Sequence, residues 1–78
     1  MPNKEMYNKV FMDTFSIWED RLKGLEYQAI EEWDSVGHME LISNIENAFD
    51  ISLETEDIVD LSSYEKGIEI LKKYGINI

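Results

Sequence analysis

The chain has 78 residues, a formal net charge of −10 and no cysteine. A chain of this length buries only a small core, so we expect one domain spanning residues 1–78, without an enclosed active site. Without cysteine there is no disulfide or thiolate metal site, and any thiol chemistry must come from a cofactor. We expect no metal centre. No apolar run could span a bilayer and Met1–Glu5 has no signal-peptide pattern, so a cytoplasmic protein is expected.

Helical periodicity begins near the amino terminus. Tyr7, Phe11, Phe15 and Trp18 recur at intervals of three and four residues, which places them on one stripe of a helix. We predict a helix from roughly Lys4 to Ile17, with all four aromatic side chains in the core.

The segment that follows, residues 19–33, has no helical or strand periodicity. Such a long connection is uncommon in a small domain unless it is functional or packed down. We predict a long loop, with room for one short helical turn, held against the helices by its scattered apolar residues Leu22, Leu25, Tyr27 and Ile30.

The second predicted helix runs from Ser35 to Phe49, and Asp34 is its expected N-cap. Its apolar residues fall on one face when placed at 100° per residue, which predicts a buried stripe of Leu41, Ile42, Ile45, Ala48 and Phe49. On the opposite face, two apolar residues lie among acidic ones and form a contact patch within reach of Ser35. The residues that we assign to this outward face for partner binding are Val36, Met39, Glu40, Glu46 and Asp50.

Two further helices are predicted towards the carboxyl terminus. Residues 55–61 suit a short helix, with Thr55 as a possible cap. The last helix begins with a predicted capping box of Ser62 and Glu65, and Gly75 is expected to end it. Its predicted apolar stripe is Tyr64, Ile68 and Leu71. The fold class is therefore all-α, a small four-helix bundle of three longer helices and one short one, with a long loop after the first helix.

The negative charge is concentrated in the middle of the chain. Twelve acidic residues and no Lys or Arg lie between Gly24 and Glu65, and all seven basic residues are outside this block. Such a block repels nucleic acid and anionic membranes and attracts basic proteins. Solubility alone would explain the block in an ordinary acidic protein. Because this block surrounds Ser35, we favour attraction of basic partners. We expect a monomer that binds neither nucleic acid nor membrane.

Ser35 is the residue that points to a function. It follows Asp34 at a predicted helix start, where a side chain is exposed and free backbone N–H groups favour a phosphate. Together with Glu40-Leu41 and Phe49-Asp50, the pair Asp34-Ser35 resembles the prosthetic-group site and second helix of the acyl carrier protein family. The close resemblance covers about half of the chain, from Trp33 to Leu71.

This resemblance implies a carrier and not an enzyme. A phosphopantetheinyl transferase would attach 4′-phosphopantetheine from coenzyme A to Ser35, with Asp34 assisting the modification. The thiol of the arm would hold an acyl or aminoacyl group as a thioester for the enzymes of a biosynthetic pathway. The implied partners are the transferase and acyl-loading and acyl-transferring enzymes with basic docking surfaces. The implied fold is the four-helix acyl-carrier-protein-like bundle.

Three residues depart from the pattern of fatty-acid carriers. Val36 stands where Leu is usual after the serine, Gly37 where an acidic residue is common, and Trp33 precedes Asp34. Trp33 before Asp34 is more similar to dedicated carriers of secondary pathways or of aminoacyl groups. A glycine within the first helical turn also indicates close approach by the loop or by a partner, or a first turn that frays.

Two other functions compete with the carrier interpretation. One is an unmodified four-helix interaction module that docks through its second helix. The other is a small hydrolase with Ser35 as nucleophile and His38, the single histidine, as base. We expect His38 instead to face the core and to pack under the long loop.

Overall fold

The computed structural model describes residues 2–78, which form four α-helices and one short 3-10 turn. In chain order these are α1 (Asn3–Phe15), the 3-10 turn (Glu19–Arg21), α2 (Ser35–Phe49), α3 (Thr55–Asp60) and α4 (Tyr64–Lys72). No β-strand occurs in this range beyond one isolated bridge between Glu26 and Ser63. The all-α class, the single short helix and the long loop after α1 are therefore confirmed.

The core lies between α1 and α2 and is closed by α4 and the loop. Tyr7, Phe11 and Phe15 of α1 meet the buried face of α2. The largest buried side chain is Trp33, which comes from the end of the loop and is fully inaccessible. Its indole stacks on Phe15 at 5.3 Å between ring centroids. It also meets Phe11 edge to face at 5.6 Å. The loop thus supplies the central side chain of the core.

The first helix is shorter than predicted, and Trp18 is not part of the core. The chain adopts a left-handed conformation at Ser16, with φ of 54°, and the N–H of Ile17 bonds back to the Met12 carbonyl at 3.2 Å. This turn ends α1 at Phe15 and directs the following residues away from the helix axis. Trp18 is consequently 80% exposed, so its predicted burial was wrong.

The long loop is packed down, but not by all four of the predicted apolar residues. Leu22 and Leu25 are buried and Ile30 is half-buried, whereas Tyr27 is exposed. The backbone of the loop pairs with the start of α4, where the Tyr64 N–H donates to the Leu25 carbonyl at 2.9 Å and the Tyr27 N–H donates to the Ser62 carbonyl at 2.8 Å. These bonds fix the course of the chain towards Ser35.

The boundaries of α2 are those predicted, but its buried face is narrower than predicted. Leu41, Ile42 and Ile45 are buried, whereas Ala48 and Phe49 are only half-buried. The last turn of α2 therefore contributes less to the core than the helical pattern indicated.

Two predicted helix caps were wrong. Thr55 is the first residue of α3, which is preceded by Glu54 without a side-chain cap. At α4 the capping hydroxyl belongs to Ser63, whose Oγ accepts from the Lys66 N–H at 3.0 Å. Glu65 does not complete a capping box, because its carboxylate accepts from the N–H of Gly24 in the loop at 2.9 Å.

The end of α4 matches the predicted glycine stop. Gly75 has φ of 82°. The N–H of Ile76 bonds to the Leu71 carbonyl at 3.1 Å, and the Ile76 side chain is buried. This is the Schellman arrangement with its apolar contact.

The start of α4 packs closely on α1. A Cβ at Gly67 would lie 2.1 Å from the Tyr7 hydroxyl oxygen. That hydroxyl donates to the Tyr64 carbonyl at 2.7 Å, and burial raises the pKa of Tyr7 far above its ordinary value. The predicted stripe on α4 holds for Tyr64 and Leu71, whereas Ile68 is only half-buried.

Candidate functional site

Ser35 is the first residue of α2 and its side chain is exposed. The helix is capped by its neighbour, because Asp34 Oδ1 accepts from the N–H of Gly37 at 2.8 Å. The predicted N-cap is therefore confirmed. Since Asp34 performs the capping, the Ser35 hydroxyl is left free for other contacts.

Gly37 is explained by the loop that precedes the helix. A Cβ at this position would lie 1.9 Å from the carbonyl oxygen of Glu32. No side chain fits such a gap, because the obstacle is backbone. The close approach expected at Gly37 is thus made by the loop, and it fixes the loop against the first turn of α2.

His38 binds the loop on one side and α3 on the other. Its Nδ1 accepts from the indole Nε1–H of Trp33 at 3.0 Å, and its Nε2 lies 2.7 Å from the carbonyl oxygen of Ile58. An indole nitrogen only donates and a carbonyl only accepts, so the ring is neutral and carries its proton on Nε2. The predicted packing of His38 under the loop is confirmed. Neither ring nitrogen bonds to Ser35.

An apolar cleft begins at Ser35 and lies between the start of α2 and α3. Its walls come from the loop, α2, α3 and the α3–α4 connection: Tyr27, Ser35, His38, Met39, Ile58, Val59, Leu61 and Ser62. A shallower depression lies on the other side of Ser35 along the outward face of α2, and it is lined by Ser35, Val36, Met39, Glu40, Ser43 and Asn44. Ser35 and Met39 border both.

The residues assigned to partner binding lie in different surroundings. Val36 and Met39 are 68% and 51% exposed, and Glu40 is also exposed. Glu46 is half-buried, and its carboxylate accepts from the N–H of Leu53 at 2.8 Å. Asp50 is exposed but ends the helix in a left-handed conformation, about 22 Å along the axis from Ser35.

Sequence reasoning missed Val59 as part of this surface. Its side chain is 74% exposed at the mouth of the cleft. Helix α3 has six residues, which is too short for a periodic pattern to distinguish Val59 from its half-buried neighbour Ile58. With Val59 included, the exposed apolar side chains around Ser35 come from both α2 and α3.

Sequence reasoning also missed a buried acidic residue that fixes α3. Asp57 is 4% exposed. Its carboxylate binds Lys73 Nζ at 2.5 Å and accepts from the Tyr74 hydroxyl at 2.6 Å. The hydrogen bond from Lys73, and then that from Tyr74, lowers the pKa of Asp57. The same contact with Asp57 raises the pKa of Lys73.

Comparison with known proteins gave no relative. No family model matches the chain, and neither the characterised proteins nor the solved structures searched contain a match. Among residues 2–78, no helix is long and apolar enough to cross a bilayer. Function must therefore be argued from the residues around Ser35.

Proposed function

We propose that the protein is an acyl or aminoacyl carrier of the acyl carrier protein type, modified on Ser35 with 4′-phosphopantetheine. The observation that carries the proposal is an exposed hydroxyl at a capped helix start, beside an apolar cleft and without a base to activate it. A serine in this position is suited to be the substrate of another enzyme. The sequence adds Asp34-Ser35, Glu40-Leu41 and Phe49-Asp50, and a chain without a thiol of its own.

The surroundings of Ser35 fit a phosphodiester. The N–H groups of Ser35 and Val36, at the start of α2, have no partner within the helix, and they favour an anion. When bound, the group supplies a thiol on a flexible arm, which carries an acyl group as a thioester. During attachment, the Ser35 oxygen forms a bond to the phosphate of coenzyme A next to the pantetheine. The pyrophosphate bond breaks, the nucleotide bisphosphate leaves, and the transferase takes the hydroxyl proton.

Hydrolysis by a Ser35–His38 pair is the less favoured function. Both ring nitrogens of His38 are engaged, by Trp33 and by Ile58, so the imidazole has no lone pair or proton directed at Ser35. A nucleophilic serine needs a base within hydrogen-bonding distance. An unmodified interaction module remains the main alternative, because exposed Val36, Met39 and Val59 would serve it equally well.

Intact mass after incubation with coenzyme A and a broad-specificity transferase tests the proposal. We expect the mass of one phosphopantetheine group on the wild type and none on Ser35→Ala. Ser43→Ala is the matched control, because Ser43 is an exposed serine of α2 that lines the same depression. Modification of Ser35→Ala, or an unmodified wild type, would contradict a carrier function at this residue. Circular dichroism verifies that the variants fold.

We further propose that the transferase and the loading enzymes bind a docking surface formed by Val36, Met39, Glu40 and Val59. Its apolar centre is exposed and the nearby charges are acidic, which suits a partner with a basic rim. Glu46 and Asp50 are the more distant predicted members. Glu46 is unsuitable for a test, because its replacement would also remove the bond to the Leu53 N–H.

Glu40→Lys is the informative charge reversal. It should slow association with the transferase at low salt and weaken the salt dependence of the rate, because electrostatic attraction mainly affects association. Glu69→Lys makes the same change in net charge at an exposed position of α4 and should have a smaller effect. Equal association rates for the two variants would show that only the net charge of the protein affects association, and not the position of the acidic residue.

A further inference from the structure

We propose that His38 is a positioning residue whose neutral imidazole holds α3 against the start of α2, so that the cleft beside Ser35 keeps its shape only while the ring is unprotonated. The inference rests on the proposed function in one respect: modification of Ser35 is the reaction that reports the change in shape.

One side chain connects three elements at this point. His38 belongs to α2, accepts from Trp33 of the loop and donates to the carbonyl of Ile58 in α3. The imidazole also lies nearly parallel to the indole, with an angle of 12° between the rings. The ring of Tyr27 meets it edge to face, at 5.5 Å between centroids. Because Ile58 and Val59 form the α3 wall of the cleft, the position of His38 sets that wall.

Protonation of the ring is incompatible with this arrangement. A proton on Nδ1 would turn the acceptor of the Trp33 N–H into a second donor, and an indole has no acceptor to offer. The bond between the two rings would be lost, and a displaced ring would withdraw its Nε2–H from the Ile58 carbonyl. Helix α3 has six residues and depends on such contacts, because a helix this short is not stable by itself. Imidazole is the side chain that gains a proton between about pH 5 and 8.

The charged form has no compensating partner around the ring. Asp34, one turn before His38, uses its carboxylate to cap α2, and Asp57 of α3 is bound by Lys73 and Tyr74. None of the charged or titratable groups on the loop, α2 and α3 hydrogen-bonds to the ring within residues 2–78. Besides these two aspartates they are Glu19, Asp20, Arg21, Lys23, Glu26, Tyr27, Glu31, Glu32, Glu40, Glu46, Glu56 and Asp60. Protonation therefore removes contacts without adding one.

The test compares loading of the wild type and of His38→Gln by one transferase between pH 5.5 and 8. The glutamine amide keeps a donor and an acceptor but does not titrate, and the use of one transferase cancels its own pH dependence. Each protein is compared with its own rate at pH 8. In acid, the rate of the wild type should fall relative to the variant, by up to about tenfold per pH unit once the ring is mostly protonated. A rate ratio independent of pH would overturn the proposal.

NMR on the unmodified wild type provides a second test that does not depend on loading. The chain has a single histidine, so its ring nitrogens and the Trp33 indole N–H can be followed without overlap from other histidines. We expect the Nε2–H tautomer at neutral pH, and we expect the Trp33 indole N–H signal to change together with the imidazole signals on acidification. A different tautomer or an indole signal that does not change would overturn the proposal. Absence of loading at every pH in both proteins would instead contradict modification of Ser35.

Discussion

Helix α3 is held by two polar attachments that are one residue apart and differ in charge. Asp57 is buried and ionic, and it binds Lys73 and Tyr74 near the carboxyl terminus. Ile58 is attached through its backbone carbonyl to the neutral ring of His38, which in turn depends on Trp33. The first attachment depends on the ionised carboxylate of Asp57, whereas the second depends on an uncharged imidazole at His38.

The two attachments lie on different sides of α3 and respond differently to pH. The lowered pKa of Asp57 keeps the ionic attachment intact through mild acid. The neutral attachment borders the cleft at Ser35 and needs Nδ1 of His38 as an acceptor. Under the role proposed for His38, loss of that acceptor would release the side of α3 at the cleft while the ionic side remains anchored.

Trp33→Ala should have the largest effect, because it removes the neutral attachment together with the centre of the core. Truncation of a buried tryptophan costs about 3–5 kcal/mol, which is comparable to the entire stability of a small domain. We expect the variant to be largely unfolded at 25 °C by near-UV circular dichroism and urea denaturation.

Trp18→Ala is the matched control for this substitution. The side chain removed is the same, but Trp18 is 80% exposed and Trp33 is fully buried. The free energy of unfolding of Trp18→Ala should differ from that of the wild type by less than about 0.5 kcal/mol. Similar losses in the two variants would mean that the burial of the two tryptophans is not as described.

The two tryptophans also show what the sequence could predict. A pattern of apolar residues predicts a helix and its buried stripe well, and α1 and α2 were found where their patterns placed them. The pattern does not reveal where a helix stops when the stop is a left-handed serine, and Trp18 was therefore misplaced. Trp33 lies in a loop without periodicity, so no local signal indicated that it fills the core.

The residues of the site likewise differ in whether their contacts are local or distant in the sequence. Asp34 and Ser35 were predictable because a helix cap is a local feature of the chain. The partners of Asp57 are 16 and 17 positions away, at Lys73 and Tyr74, and no spacing rule connects them. One signal existed: an acidic residue among the apolar residues of a short helix needs a cationic partner if it is buried.

Asp57→Asn breaks the ionic attachment and should have the next largest effect. The folded state lowers the pKa of Asp57, so the attachment contributes its full stability above the unfolded value near 3.9 and loses it as the pH falls through the lower folded value. At pH 7 the variant should melt about 10 °C below the wild type. The difference between the two should begin to shrink in urea denaturation below about pH 4, where the carboxyl of the unfolded chain takes up a proton, and should vanish only below the lower pKa of the folded protein.

Asp60→Asn is the control for the loss of one negative charge. Asp60 is an exposed acidic residue of the same helix, and its carboxylate makes no hydrogen bond within residues 2–78. Its replacement should leave stability unchanged, or raise it slightly because the chain carries a large negative charge. If Asp57→Asn showed the same small change at every pH, the ionic attachment would contribute nothing to folding.

Tyr74→Phe weakens the ionic attachment without removing it and should have the smallest effect. Its hydroxyl donates to Asp57 and accepts from the N–H of Glu54 at 2.9 Å, so one oxygen joins the start of α3 to the chain after α4. Asp57 would keep Lys73, the stronger of its two partners, and the exposed Glu54 N–H would turn to water. We therefore expect a loss of about 1 kcal/mol in free energy of unfolding at pH 7. The acid transition should also move to higher pH, since one of the bonds that lower the pKa of Asp57 is gone.

Tyr27→Phe removes a hydroxyl that has no hydrogen bond in the described chain, and it should change neither quantity. An unshifted acid transition in Tyr74→Phe would assign the whole attachment to Lys73, and the contrast with His38 would then depend on a single ion pair.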